Sequence, residues 1–392
     1  MRRALRIVWH VAPALLAIVV YAVVVAPVSR ISTALRRRRG QRPKIVRGPV
    51  PIISIHYASR ADRLRGYRSD TVVYRRYRIN DAGVFDLDLS RLTRIRLLGQ
   101  LVPYAAFVVA GLRYDVFSFF FDGGLIGETP FWRAELPLLR LAGKRIVVYP
   151  YGSDARLPSR TRAIPGWNAY SDISPGAEDT DERDVRRRLD AFGRYANAIL
   201  GCADLVEDLP RIDGVFQFPV DVARWQPVPP PADSTVRILH APNHRRYKGT
   251  RFVEAAVAHL RDEGAPVELV LVEGRTGSEA RRLYEQAHIV VDQLLIGAYA
   301  MFAIECMALG KPVVCYLNDR FRPYHPEWAE CPIVSASPDT IVDELRRLVA
   351  DPGLRSSLGA SGPEYVRRVH SLEAVGETMD AVYRSVWGGA AA

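Results

Sequence analysis

A proline-rich segment divides this sequence into two halves that repeat one pattern of secondary structure. The segment, "WQPVPPPADS" at 225–234, interrupts the hydrophobic periodicity on both sides. Short apolar runs alternate with amphipathic stretches before it, and the alternation begins again after it. Strands that alternate with helices form parallel sheets covered by helices. The sequence therefore predicts an α/β protein with two Rossmann-like αβα domains that face each other across a cleft.

The strands and helices of this pattern follow from run length and periodicity. In the first half we predict a long apolar helix at 89–112 and a long loop at 155–183. We also predict four strands, at 50–57, 70–77, 114–121 and 144–151. In the second half we predict strands in "VRILHAP", "VELVLVEG", "HIVVDQL" and "KPVVCYL", and helices at 250–262, 277–287, 299–309 and 338–350.

The pattern also predicts how the chain is divided. We expect a membrane anchor with its basic flank at 1–47, a first domain at 48–224 and a linker at 225–235. A second domain follows at 236–371, and a C-terminal helix at 372–392 crosses back to the first domain.

The N-terminus carries an apolar run long enough to cross a bilayer. Residues 8–28 contain no charged side chain except His10 when it is protonated, and a spanning helix needs about 20 apolar residues. Arginines flank both ends, and the heavier group, Arg36–Arg39, follows the run, which favours a body on the cytoplasmic side. A spanning anchor, a helix that dips into one leaflet, a cleaved signal peptide and a buried helix all remain open. We predict membrane association at the cytoplasmic face of the cell membrane.

The charge and the cysteines narrow the class of protein. The net charge is +11, but nearly all the cations are arginines in an alanine-rich chain, and many of them lie beside the apolar N-terminus. This placement favours a membrane surface over nucleic acid as the partner. The four cysteines show no C-x-x-C spacing, so we predict buried free thiols in a reducing compartment and no cysteine metal site.

A cluster of cations lies between a predicted strand and a predicted helix in the second half. "NHRRYKGTRF" at 243–252 contains Arg245, Arg246 and Lys248 without an acid among them. Cations beside the free N–H groups of a helix start attract phosphate, and Gly249 permits close approach of the backbone. The segment is thus either a phosphate-binding loop or a solvated basic turn.

A second candidate site follows the strand "HIVVDQL". Asp292 lies at the end of this strand, and Glu305 lies in the apolar helix "FAIECMALG" after a glycine-containing loop. A carboxylate among apolar neighbours needs a hydrogen-bonding partner, which a ribose diol or an internal arginine would supply. No G-x-x-x-x-G-K-[ST] or G-x-G-x-x-G motif occurs, which disfavours P-loop enzymes and standard nicotinamide dehydrogenases.

Together these segments resemble the GT-B glycosyltransferases, in particular the large retaining group often called family 4. The second half is similar to their nucleotide-sugar-binding domain, and the first half, more loosely, to their acceptor domain. The similar segments are "YKGT", "VELVLVEG", "HIVVDQLLIGAY", "AIECMALGKPVVCYLND", "YDVFSFFFDGG", "LAGKRIVVYPYGSDAR" and "QFPVDVARWQP". The resemblance implies a GT-B fold, retention of configuration, a UDP- or GDP-sugar donor, no required cofactor or metal, and an acceptor bound by the first domain.

The resemblance also assigns roles to individual residues. It places Lys248 and Arg245 on the donor diphosphate, and Glu305 on the donor ribose. Further donor contacts are assigned to Arg246, Gly249, Glu273, Asp292, Gly297 and Tyr299.

Two features concern the reacting centre. The family usually has a second glutamate eight positions before Glu305, where this chain has Gly297. Either catalysis is lost or another residue, such as Asp292, takes that role. On the acceptor side, Asp154 follows a predicted strand in "PYGSDAR", where it either positions an acceptor hydroxyl or pairs with Arg156 in a local turn.

The sequence thus leads to two hypotheses. The first is a membrane-associated glycosyltransferase that acts on a lipid-linked or glycan acceptor. The second is a non-catalytic protein of the same fold that binds a nucleotide sugar or scaffolds a glycan-assembly complex. Donor turnover separates them, because donor binding is common to both.

Overall fold

The computed structural model describes residues 12–81, 83–95 and 99–388. Within these ranges the strands form two sheets in which neighbouring strands are parallel. The strands are β1 (Lys44–Arg47), β2 (Arg68–Val73), β3 (Leu87–Asp88), β4 (Val116–Phe119), β5 (Arg145–Val148), β6 (Ala198–Gly201), β7 (Gly214–Val215), β8 (Val236–His240), β9 (Val267–Leu271), β10 (Ile289–Val291) and β11 (Val313–Val314).

Helices connect these strands and cover both sheets. They are α1 (Ala12–Arg38), α2 (Ile53–Leu64), α3 (Ser90–Thr93), α4 (Val102–Arg113), α5 (Trp132–Leu141), α6 (Pro158–Arg162), α7 (Glu182–Tyr195), α8 (Arg245–Lys248), α9 (Thr250–Asp262), α10 (Gly277–Glu285), α11 (Met301–Ala308), α12 (Ile341–Ala350), α13 (Pro352–His370) and α14 (Leu372–Trp387). Short 3₁₀ turns lie at Ala203–Glu207, Asp319–Tyr324 and Pro326–Glu330.

The first sheet has the strand order β3-β2-β1-β4-β5-β6-β7 and a helical layer on each face. Side chains of a strand point alternately to the two faces of its sheet. Phe117 and Phe119 of β4 therefore pack with α1, α4, α5 and α7. Val116, on the other face, packs in the cluster that contains α2 and α14.

The second sheet has the order β11-β10-β8-β9 and the same layered construction. Leu239 and Val290 pack with α10, α11 and α13. Ile238 and Val291 pack on the opposite face with α9 and α12. Ligands of open parallel sheets bind beyond the carboxyl ends of the strands, so the loops after these strands are the place to look for a site.

The chain passes between the two domains twice, and the two connecting segments lie side by side. The Val220 N–H donates to the His370 carbonyl at 2.7 Å, and Val220 forms a parallel bridge with Ser371. The second passage leads into α14, which packs on α2 of the first domain.

A buried polar network fixes α14 to the first domain. The guanidinium of Arg47 donates from Nε to Asp62 Oδ2 at 2.9 Å and from Nη2 to the Tyr383 hydroxyl at 2.5 Å. The Tyr383 hydroxyl in turn donates to Asp62 Oδ1 at 3.1 Å. Because all three side chains are buried, the arginine depends on this pairing.

Helix α1 lies along the first domain. Its buried residues recur at helical spacing, so that one stripe faces the body: Ala14, Tyr21, Val25, Ala26, Ser29 and Thr33. Tyr21 stacks on Phe107 of α4 with ring centroids 4.1 Å apart. Among the described residues α1 is the one helix long and apolar enough to cross a membrane, with a mean hydropathy of 2.3 over its apolar window. Residues 8–11 of the predicted apolar run and 389–392 of the predicted C-terminal segment lie outside the described residues.

The predicted boundary after residue 47 is wrong. Residues 44–47 form β1, which lies between β2 and β4 near the middle of the first sheet, so they belong to the first domain. The predicted strand at 50–57 is instead the start of α2 at Ile53. The run "KIVR" is short and ends in an arginine, whose charge Asp62 compensates inside the core, so its local composition does not indicate a buried strand.

The predicted helix at 89–112 is broken into α3 and α4. Gly99 lies between them, where an added Cβ would come within 2.2 Å of the Thr93 carbonyl oxygen. Pro103 stands in the first turn of α4, where its missing N–H is tolerated. The helical periodicity predicted for this segment therefore ran across a tight turn.

Candidate active site

The predicted basic loop forms a single turn, α8, followed at once by α9. Gly249 separates the two helices with φ of +73°, a left-handed conformation that glycine adopts without strain. An added Cβ would lie 3.2 Å from Leu295 Cγ, so the position is also crowded. Lys248, just before this change of direction, is buried, although Arg245 and Arg246 of the same turn are exposed.

Lys248 pairs with Asp292 beyond the carboxyl ends of β8 and β10. The Lys248 Nζ lies 2.5 Å from Asp292 Oδ1, and both residues are buried. The second carboxylate oxygen, Asp292 Oδ2, is also buried and has no hydrogen-bond partner among the described residues. The structure thus joins two predicted site residues into one ion pair with one unused acceptor.

The two arginines of α8 contact other partners. Arg245 forms ion pairs with Glu254 and, at 2.9 Å, with Glu273, so two predicted donor contacts pair with each other. Arg246 donates from Nε to the Asp172 carbonyl oxygen of the first domain at 3.1 Å. Arg246 therefore lies where the two domains meet, whereas Arg245 lies on the exposed side of the turn.

A loop of the first domain covers α8 and the start of α9. Tyr170 packs edge-on against Tyr247, and Trp167 packs edge-on against Phe252. Arg251 adds an ion pair with Asp172 at 2.7 Å. The predicted loop at 155–183 therefore forms part of the wall around the basic turn.

Glu305 lies on α11, at the boundary with the first domain. Met301, one turn earlier on α11, packs against the cluster that contains Tyr57 of α2. Burial raises the pKa of Glu305 to about 8, although Arg224 and Arg281 oppose the shift. No group among the described residues donates a hydrogen bond to its carboxylate. The internal arginine pair considered from the sequence is therefore not formed, and the carboxylate keeps its capacity to accept.

The loop before α11 differs from what the resemblance implies. Gly297 has φ of +88°, and an added Cβ would lie 2.9 Å from the Cβ of Asn318. A glutamate does not fit here without a shift of the backbone. The hydroxyl of Tyr299 is bonded inside the domain to Tyr365 at 2.7 Å and His370 at 3.0 Å, and a donor contact by this residue stays a prediction.

Asp154 anchors a turn at the end of β5. Its Oδ1 accepts from the N–H groups of Tyr151 and Gly152, at 3.0 and 2.8 Å, and its Oδ2 accepts from Phe121 N–H at 3.0 Å. The alternative pairing with Arg156 is wrong, because Arg156 pairs with Asp204. Asp154 is thus mainly a structural residue that fixes the ends of β4 and β5.

Asp122 is a candidate that the sequence analysis missed. It lines a cavity of about 340 Å³ in the first domain, together with Tyr151, Asp154 and Arg188. Its Oδ2 accepts from the Tyr151 hydroxyl at 3.1 Å, while Oδ1 is buried without a partner among the described residues. Burial and the nearby Asp154 raise the pKa of Asp122 to about 7. The signal was its place directly after a strand, in "FFDGG".

The described residues contain no group of three histidine, cysteine or acidic side chains placed to hold a metal ion. The three cysteines Cys202, Cys306 and Cys315 are buried free thiols, and Cys331 is partly exposed. The site is therefore formed by cations, carboxylates and aromatic rings. That a reaction at this site needs no metal ion stays a prediction from the family resemblance.

Comparison with known proteins identifies the fold. No protein-family model matches the chain, and no curated protein matches it. Solved structures do match. Sucrose-phosphate synthase from Thermosynechococcus elongatus has a TM-score of 0.59 at 14% identity, over 89% of this chain and all of that one. Anabaena HepE in complex with UDP-glucose has a TM-score of 0.55 at 12% identity, over 88% and 100% of the two chains.

A glycosyltransferase from Rickettsia africae ESF-5 matches with a TM-score of 0.52 at 11% identity, over 88% of this chain and 99% of that one. These matches extend over both domains. The chain therefore has the GT-B fold, as the sequence predicts.

Proposed function

We propose that this protein is a membrane-associated glycosyltransferase that transfers a sugar from a nucleotide-diphosphate donor to a lipid-linked or glycan acceptor at the cytoplasmic face. The observation that carries the proposal is Glu305, a carboxylate at the boundary of the two domains that accepts no hydrogen bond from the described residues. A ribose diol supplies two hydroxyl donors, which offset the cost of holding a carboxylate there. The bound UDP-glucose of HepE, a protein of the same fold, agrees with this class of ligand.

The proposal assigns the second domain, 236–371, to the donor. Lys248 contacts the diphosphate, with Asp292 holding its side chain, and Arg246 approaches from the boundary with the first domain. Gly249 lets the backbone turn around the phosphates. We assign Arg245 and Glu273 a supporting role, since each already has an ionic partner.

The reaction breaks the bond between the anomeric carbon of the sugar and the donor phosphate oxygen, and an acceptor hydroxyl oxygen takes that place. The hydroxyl proton leaves to the diphosphate or to water. Cations that face the departing diphosphate stabilise the charge that develops on it. Lys248 and Arg246 supply that charge here, so the proposal includes no metal ion, and retention of configuration follows from the family resemblance alone.

Gly297 favours the second candidate function, a non-catalytic protein that binds a nucleotide sugar. The residue leaves no carboxylate where the family usually has one, and the backbone there excludes a larger side chain. In the first proposal Asp292 Oδ2, the unused acceptor beside Lys248, contacts the donor in place of that glutamate. In the second, the site binds the donor and releases it unchanged.

The test is nucleotide release from a panel of UDP- and GDP-linked sugars, by purified protein with and without membrane lipid extract. We expect release from one donor, stimulated by lipid, and a loss of roughly tenfold or more in donor affinity for Glu305→Gln, as expected for one charge-assisted hydrogen bond. Arg346→Gln is the matched control, since Arg346 is an exposed cation of α12 that pairs with Glu263 and Asp343. Donor binding without release under every condition would instead support the binding protein.

A further inference from the structure

Helix α1 presents a continuous apolar stripe to the outside of the molecule. Of the exposed large apolar residues in the described part of the chain, almost half belong to this one helix: Leu15, Leu16, Val19, Val20, Val23, Val24, Val28, Ile31 and Leu35. A stripe of this size on a soluble surface is costly in water and marks an interaction site.

The opposite side of α1 is fastened to the first domain by polar contacts. Ser29 Oγ donates to the Gly111 carbonyl of α4 at 2.7 Å. Thr33 Oγ1 donates to Asp115 at 3.3 Å and accepts from the buried Lys144 ammonium at 3.2 Å. A helix that left the body to cross a bilayer would abandon these partners and leave Lys144 buried without them.

The surface beside α1 continues the stripe and adds positive charge. Val109 and Leu112 of α4, the helix against which α1 packs, are half exposed. Arg30 lies beside Gly143 at the end of α5, next to Arg140. The exposed arginines near the stripe form no ion pair among the described residues: Arg30, Arg38, Arg39 and Arg140. Apolar residues bordered by arginines match the acyl chains and anionic headgroups of a lipid surface.

We propose that this face, formed by the outward stripe of α1 with Val109 and Leu112, enters one leaflet of an anionic bilayer while the α1 axis lies in the membrane plane. The inference deepens the membrane association proposed above, and it replaces a spanning anchor with a fixed, in-plane one. Its occupant is a lipid surface, because an interface between protein copies does not require the arginine border.

This geometry brings the membrane close to the acceptor-side cavity. Tyr21, in the N-terminal half of α1, packs in one apolar cluster with Leu136 of α5, the residue that follows Glu135. Glu135 in turn accepts hydrogen bonds from the N–H groups of Leu125 and Ile126, in the loop whose glycines line the cavity. An acceptor held in the leaflet therefore reaches the cavity from the membrane side.

The first test is flotation of the full-length protein with vesicles that contain phosphatidylglycerol, compared with vesicles of phosphatidylcholine. We expect binding to the anionic vesicles, and a loss of tenfold or more in binding for the double variant Val23→Asp/Ile31→Asp. Leu64→Asp is the matched control: Leu64 is equally exposed, but it lies on α2, on the other face of the sheet. Equal binding by the wild type and the double variant would overturn the proposal, as would a lipid-free dimer that the double variant abolishes.

The second test separates an in-plane helix from a spanning one. Ala12→Cys and Arg39→Cys, each in a Cys331→Ser background, are treated with a membrane-impermeant maleimide in inside-out vesicles of the expressing cells. We expect both thiols to be labelled from the side of the globular body. Protection of residue 12 until detergent is added would establish a spanning helix and overturn the inference. Nucleotide release is measured separately. It does not depend on the orientation of α1, so it tests the transferase proposal on its own.

Discussion

Lys248 and Asp292 place opposite charges side by side in a buried setting, and each depends on the other. Removing one member of a buried pair leaves an uncompensated charge, which costs about 3–5 kcal/mol. We predict this loss for Lys248→Met in urea unfolding, and recovery of most of it when Asp292→Asn is added. A cost below about 1 kcal/mol for the single variant would show that the pair does not support the fold. Recovery in the double variant would show that the uncompensated charge of Asp292 causes the loss.

The sequence led to Lys248 because it lies in a cluster of cations between a strand and a helix, and to Glu305 because a charged residue stands out in an apolar run. The surroundings of Asp122 and Tyr299 could not be predicted from the local sequence in this way. The setting of Asp122 depends on Tyr151, which a different strand delivers. The position of Tyr299 depends on Tyr365 and His370 of α13, some 70 residues later in the chain. Site residues defined by contacts between distant elements are not visible in a local pattern.

At the scale of elements, the loop from Asp292 to α11 has no room for the glutamate that the family usually carries. A residue with a Cβ in the left-handed conformation costs about 1–2 kcal/mol. We predict that Gly297→Ala loses about this much in the free energy of unfolding. Gly297→Glu should lose more, because its side chain beyond Cβ must also fit beside Asn318 and Phe321, and it should not raise donor turnover. A gain in turnover with Glu but not with Ala would show that the loop rearranges around the donor.

Helix α14 is joined to the first domain through the hydroxyl of Tyr383. This hydroxyl accepts from Arg47 and donates to Asp62, and all three groups are buried. We predict that Tyr383→Phe lowers the free energy of unfolding by about 1–3 kcal/mol, since it leaves buried partners unsatisfied. Tyr104→Phe is the control, because the buried Tyr104 forms no side-chain hydrogen bond within the described ranges, and its loss should be under about 0.5 kcal/mol. Equal effects of both variants would contradict the network.

The strands of the second domain could be predicted because buried parallel strands are largely apolar runs, although the edge strand β9 is only partly buried. Helix α13 could not, since its glycines and Pro363 look like a break. The structure gives the reason for those glycines. An added Cβ on Gly359 would lie 2.4 Å from the Gly310 carbonyl oxygen, and one on Gly362 would lie 2.6 Å from the Met307 carbonyl oxygen. Close packing of α13 on α11 requires residues that lower helix propensity, so local preference and tertiary contact disagree there.

At the scale of the whole molecule, each domain holds one glutamate with a raised pKa. Burial raises the pKa of both Glu135 and Glu305 to about 8, from 4.5 in an unperturbed chain. The folded state holds these protons more tightly, so stability is lost as pH rises from about 4.5 through 8. Burial lowers the pKa of His240 and His370 from 6.5 to about 4, so their effect is a gain of stability between pH 4 and 6.5.

Above pH 6.5 the effect of the two glutamates continues, joined up to about pH 7 by that of Asp122. We predict that the free energy of unfolding falls between about pH 6.5 and pH 8.5. Urea unfolding across this range checks the slope. The double variant Glu135→Gln/Glu305→Gln should give a flatter profile, whatever its absolute stability. An unchanged slope in the variant would show that other groups govern the pH dependence.

The two passages between the domains, hydrogen-bonded to each other at Val220 and His370, have a mechanical consequence. Two domains joined by a pair of adjacent segments are connected by a hinge. They rotate about this hinge but neither slide nor twist relative to each other. Contacts made by the connecting segment itself, such as the one between Trp225 and Tyr57, move least during such a rotation. Contacts between opposing loops, such as Tyr170 with Tyr247, separate together. If the bilayer holds the first domain in place, each opening of the hinge moves only the second domain, to which we assign the donor.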